Sequence, residues 1–153
     1  MGLDMYLNKK IYIGAQFEHR KITGKIELKQ DKPPIQIAFE KVSEIVEEVG
    51  YWQNTNQIHK WFVDNIQNGQ DDCREYYVSY EKLMELKSTC ETIVNQPTEI
   101  LRHQKSRELL PTCKGVFFGG TAYDEHYFNE LQKTIEILSN LEADDYYYYQ
   151  SSW

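Results

Sequence analysis

The sequence predicts an α+β domain, a small mixed or antiparallel sheet packed against about four to five helices. Strand-like runs stand at the start (Met5-Tyr6-Leu7), near the middle (Tyr76-Tyr77-Val78) and at the end (Tyr146 to Tyr149), with helical periodicities between them. At 153 residues and 41% hydrophobic, the chain is long enough to bury a core as one domain, 1–153, without disulfides or metals to hold it together. No internal repeat or low-complexity linker divides it.

Taken in order, Met5-Tyr6-Leu7 and Ile11-Tyr12-Ile13 combine β-favouring residues with partial alternation, and Ile22, Ile26 and Leu28 lie at even spacing. Phe17-Glu18-His19-Arg20 reads as a connection. Gln30-Asp31-Lys32-Pro33-Pro34 is a break, after which Ile35 and Ile37 suggest a short edge strand. Val42, Ile45, Val46 and Val49 fall at i, i+3, i+4 and i+7, which predicts a helix over Lys41 to Val49 with Gly50 as its stop.

A second helix is expected from Thr55 to Gln67, capped by Asn54 or Thr55, with Ile58, Trp61, Phe62 and Ile66 on its apolar face and Asn68-Gly69 at its end. Ser79 is an N-cap residue for a helix carrying Leu83, Leu86, Cys90 and Val94. Thr98 to Glu108 reads as helical with a weak apolar pattern, ended by Pro111. Gly115 to Gly120 looks like a buried strand between glycines, and Tyr127, Phe128, Leu131, Ile135 and Leu138 make the stripe of a long helix. Neighbouring strand residues point to opposite faces, so at least half of the four consecutive tyrosines Tyr146 to Tyr149 must face away from the core.

The formal net charge of −7 argues against a phosphate-backbone partner, because nonspecific nucleic-acid affinity comes from clustered Lys and Arg. The densest basic stretch, Arg102 to Arg107, reads as a solvated helix face. Cys73, Cys90 and Cys113 are odd in number and far apart, so neither a disulfide framework nor a zinc site is indicated, and no cofactor motif is present. No stretch approaches the roughly 20 apolar residues of a membrane span. A soluble, cytoplasmic protein is expected.

Where chemistry is concerned, Gly50 to Val63 is the richest segment. Trp52, Asn54, Asn56 and His59 are expected to form a polar rim at the head of a helix, where free backbone N–H groups, a flat ring and carboxamides suit an anionic or base-like ligand. The competing reading is local, with Asn54 capping the helix, Trp52 packing over its first turn and His59 hydrogen-bonded for packing. Asp72 stands beside Cys73, but adjacent aspartates raise a thiol pKa and oppose activation. Tyr123, Asp124 and His126 could line a pocket, although Asp124 at a helix start is also explained by the dipole.

The opening Met1-Gly2-Leu3-Asp4-Met5-Tyr6-Leu7, the Gly50 to Val63 segment, Asp72-Cys73 with Tyr76-Tyr77-Val78-Ser79, Leu109-Leu110-Pro111-Thr112, Phe117-Phe118-Gly119 with Tyr123-Asp124-Glu125, and the final Ser151-Ser152-Trp153 together resemble a family of small proteins encoded by bacteriophages and prophages. The resemblance implies a phage-type gene expressed in bacterial cytoplasm, and carries no catalytic or binding residue with it. Two function classes follow. The first is a non-enzymatic accessory protein that binds a host or phage protein or a small nucleotide-like ligand, with self-association left open. The second is a small hydrolase or nucleotide-modifying enzyme using His59 with Asp72 or Asp124. The first is preferred, because no catalytic set is assembled in the sequence. An inhibitor mimicking DNA is a weaker third, since the acidic residues are dispersed.

Overall fold

A computed structural model describes residues 2–14, 16–24, 26, 33 and 35–153. Among them the chain runs β1 (Asp4–Tyr12), β2 (Glu44–Gln53), α1 (Asn56–Asn65), β3 (Tyr76–Val78), α2 (Tyr80–Val94), α3 (Glu99–Leu109), α4 (Glu125–Ser139) and β4 (Tyr146–Ser152). The strands form one antiparallel sheet in the order β2-β1-β4-β3, so the α+β class holds. Tyr76, Tyr77 and Val78 stand opposite Tyr149, Tyr148 and Tyr147. No helix among the described residues is long and apolar enough to cross a membrane.

These residues divide into two compact units, Met1–Lys9 with Glu48–Trp153, and Lys10–Glu47. In the smaller unit Ile13 N–H donates to Ser43 O, two 3-10 turns occupy Glu18–Arg20 and Phe39–Lys41, and Arg20 lies over the Phe17 ring. Ile22, Ile26, Ile35 and Ile37 are not in strands, and Leu28 lies outside the described residues. Met5 to Leu7 and Ile11 to Tyr12 belong to one continuous strand, β1, which runs through the intervening Asn8-Lys9-Lys10.

The larger unit carries the core. Leu3 just before β1 is buried, Met5 and Leu7 point inward from β1, Trp52 from β2, Val78 from β3, and Tyr147 and Tyr149 from β4. They meet Ile58, Trp61 and Phe62 of α1, Leu83, Leu86, Cys90 and Ile93 of α2, and Tyr127, Leu131 and Leu138 of α4 in one cluster of buried residues. Phe62 stacks on Tyr149 at 3.8 Å between ring centroids, and Trp52 Nε1–H donates to Thr134 Oγ1 at 2.9 Å. Thr134, a polar residue in the middle of this core, donates in turn to Glu130 O, so neither group is left unpaired.

The Ser79 cap operates as read, and Thr98 and Asp124, read only as lying at helix starts, cap in the same way. Ser79, Thr98 and Asp124 each accept a hydrogen bond from the backbone N–H three residues on, at Lys82, Leu101 and Tyr127. Thr55 occupies the N-cap position of α1, but its hydroxyl goes to Gln53 O and Glu130 and not to the helix. Two further expectations fail. Lys41 to Val49 is not a helix: from Glu44 onward it is strand β2, with Ile45 and Val46 exposed. Its β-branched residues fit a pleated strand, and Gly50 is no helix stop. A Cβ there would come within 2.8 Å of Ile137 Cγ2, so glycine lets α4 close on the sheet. Gly115 to Gly120 is likewise not a strand. Phe117 and Gly119 have φ of 65° and 84°, which turns the chain so that Phe118 is buried while Val116 and Phe117 face out.

Candidate functional site

The residues expected at the head of α1 are drawn inward. Trp52 is fully buried on β2 and offers no platform. Asn54 adopts a left-handed backbone at φ 55°, which asparagine tolerates, and makes the corner between β2 and α1. Its N–H donates to Leu3 O at 2.7 Å and its Oδ1 accepts from Leu3 N at 3.1 Å. Asn56 is buried and spends its whole carboxamide on the 111–124 loop. Its Nδ2 donates to Phe118 O and Gly120 O at 3.0 and 2.8 Å, and its Oδ1 accepts from Cys113 N at 2.9 Å.

His59 sits inside the core at 1% exposure, not at its rim. Its Nε2 lies 3.0 Å from Asp71 Oδ1 and its Nδ1 lies 2.8 Å from Tyr149 Oη. An ionised carboxylate only accepts, so Nε2 carries the proton and Tyr149 O–H donates to Nδ1. Burial lowers the imidazole below its ordinary value, with Asp71 opposing that shift. The same burial pushes the Tyr149 hydroxyl well up. The Asp71–His59–Tyr149 chain therefore has the connectivity of a proton relay but no exposed end at the tyrosine, whose ring is fully buried. The carboxylate His59 meets is Asp71. Asp72 instead pairs with Arg74 at 2.6 Å and accepts from Tyr76 Oη, and Asp124 caps α4.

Neither inner cysteine is an activated nucleophile. Burial pushes the Cys90 thiol up to about 12 and raises Cys113, whose Sγ donates to Asn56 O at 3.4 Å. Among the described residues no three His, Cys, Asp or Glu side chains converge so as to hold a metal ion.

A larger concavity than any at the head of α1 among the described residues lies between α3 and the start of α4. Glu99, Arg102, His103, Tyr123, Asp124, Glu125, Phe128 and Asn129 line a cleft of about 540 Å³, adjoined by a shallower groove over Ile100 and Arg107. That volume suits a small-molecule ligand, whereas the crevice shared by Asn54 and Asp124 measures about 30 Å³ and would admit a water. The Arg102 guanidinium lies over Phe128 at 5.7 Å and that of Arg107 over Tyr123 at 5.3 Å. The His103 ring is 5.5 Å from Phe128, and its Nε2 is 3.7 Å from Glu99. Arg102 Nε is buried without a hydrogen-bond partner among the described residues, an unmet donor at this position.

Of the residues expected in a site, Tyr123 and Asp124 reach this cleft and Trp52, Asn54, Asn56, His59 and Asp72 do not line it. Arg102, His103, Phe128 and Asn129 were not anticipated. The available signal was the missing apolar stripe of α3. The less exposed residues in the middle of α3 include Arg102, His103 and the buried Ser106, so the face turned to its neighbours is itself polar. Comparison of the chain with protein-family models, curated proteins and solved structures yields no match.

Proposed function

We propose that the protein is a non-enzymatic binding module that takes a small nucleotide-like anion in the cleft between α3 and α4, as an accessory protein of the phage type acting in bacterial cytoplasm. One observation carries the reading. A chain of net charge −7 brings the Arg102 guanidinium and the His103 imidazole against the Phe128 ring in a cleft of ligand size, with Arg107 over Tyr123 from the adjoining groove. Guanidinium groups pair with phosphate oxygens through forked donors, the aromatic rings supply apolar surface for a base, and the carboxamide of Asn129 offers a donor and an acceptor. Binding without turnover is preferred because His59, the best base in the sequence, is enclosed with both ring nitrogens engaged.

Calorimetric titration with nucleoside mono-, di- and triphosphates, followed by chromatography of the recovered ligand, tests this. Expected is saturable binding of intact ligand, weakened on the order of tenfold or more in Arg102→Gln/His103→Gln, a loss in line with removing charge-assisted hydrogen bonds. Absence of binding across the nucleotide set, or binding indifferent to these substitutions, refutes the cleft. Recovery of hydrolysed nucleotide by a pure preparation refutes the non-enzymatic reading.

A further inference from the structure

The face of the sheet opposite the core is unlike the rest of the surface. Strand alternation puts Leu3, Met5, Trp52, Tyr147 and Tyr149 inside, and by the same rule it puts Asp4, Tyr6, Tyr51, Tyr77, Tyr146 and Tyr148 on the other side. Five of the chain's 12 tyrosines thus share one face across all four strands. They are grouped. Tyr6 and Tyr51 lie 5.5 Å apart on β1 and β2, while Tyr77 lies 5.7 Å from Tyr148 and 6.4 Å from Tyr146. Tyr77 and Tyr146 are more than half exposed.

Charge decides what such a face accepts. Asp4 stands among the rings and holds the Tyr51 hydroxyl at 2.5 Å, whereas Lys9, which pairs with Asp145 at 3.0 Å, has the parity of Met5 and Leu7 and lies on the other side of β1. One of these rings already takes a cation: Lys133 sits over Tyr51 at 5.8 Å, as an ammonium does on an electron-rich ring. A polyanion would meet π faces, a carboxylate and a chain of net charge −7. A second copy would bring the same negative face. An arginine-bearing segment is attracted by the rings, the carboxylate and the net charge, since guanidinium groups stack on tyrosine and pair with carboxylate.

We propose that this tyrosine face is a docking surface for an arginine-rich segment of a partner protein. The inference stands on the sheet and is independent of the α3–α4 cleft.

The probe is a synthetic peptide of alternating arginine and glycine, about a dozen residues long so that it crosses four strands about 4.8 Å apart. It is titrated into the full chain at an ionic strength of about 0.01 M, where charges are screened only beyond about 30 Å. Parallel titrations use the same peptide with citrulline for arginine, and an oligothymidylate of matching length. Expected are binding of the arginine peptide, loss with citrulline, no binding of oligothymidylate, and a roughly tenfold weakening in Tyr77→Ala/Tyr146→Ala, about a factor of three for each cation–π contact. Thermal denaturation establishes that the variant is folded, and Asp4→Asn supplies a second variant that keeps every ring and is expected to weaken binding. Arg102→Gln/His103→Gln should bind the peptide as the unmodified chain does. The proposal is overturned if the arginine peptide does not bind, if it binds equally well to both sheet variants, if citrulline is tolerated, or if oligothymidylate binds.

Discussion

Replacing Asn56 tests whether the loop between α3 and α4 is held by one carboxamide. Asn56→Ala removes three hydrogen bonds, two donated to Phe118 O and Gly120 O and one accepted from Cys113 N. At a net value near 1 kcal/mol each, the loss is about 3 kcal/mol, because water reaches the Gly120 and Cys113 groups more readily than the enclosed Phe118 carbonyl. For a chain of this size that corresponds to a fall in Tm of roughly 6–12 °C. Asn56→Asp has nearly the same volume and keeps the bond from Cys113 N, yet it turns an acceptor toward two carbonyls. It should therefore cost more than alanine at neutral pH. Differential scanning calorimetry gives the magnitudes, and hydrogen exchange at Cys113 reports on the loop. If Asn56→Asp is as stable as the unmodified chain, or milder than Asn56→Ala, packing and not hydrogen bonding holds the loop and the reasoning fails.

Burial holds the His59 pKa below its unfolded value near 6.5, so the unfolded chain takes up a proton first and stability falls as pH drops below about 6.5 toward the folded-state value. Urea midpoints between about pH 5 and 8 should show this decline, by at most about 1.4 kcal/mol per pH unit, and His59→Gln should flatten it. An equal slope in both proteins would assign the decline to other groups. Gly50→Ala places a methyl 2.8 Å from Ile137 Cγ2 and should destabilise by about 1–3 kcal/mol, with Ile137→Val restoring part of the loss. A stabilised Gly50→Ala protein would show that α4 and the sheet have slack at this contact.

What the sequence determined by itself is what a few neighbouring residues can determine. The Ser79 cap acts over three residues and α2 begins where it was read, while α3 and α4 begin directly after Thr98 and Asp124, which the sequence placed at helix starts. The alternation of Tyr146 to Tyr149 needs only a strand, and Tyr147 and Tyr149 are buried while Tyr146 is exposed. The apolar spacing of Ile58, Trp61 and Phe62 likewise identified a buried helix face. Tertiary contacts decided the rest. Val42, Ile45, Val46 and Val49 satisfy a helical period, but pairing with β1 and the close approach of Ile137 at Gly50 make the segment a strand. His59 finds Tyr149 across 90 positions, and Asn56 finds Phe118 across 62, so both were legible as polar residues and not as internal struts. The cleft depends on how α3 and α4 lie against each other, which brings Arg102 to Phe128. Capping and alternation are local and strong enough to read from spacing, whereas a cleft and a buried polar network exist only once distant segments have packed, because burial is what gives each polar group its partner.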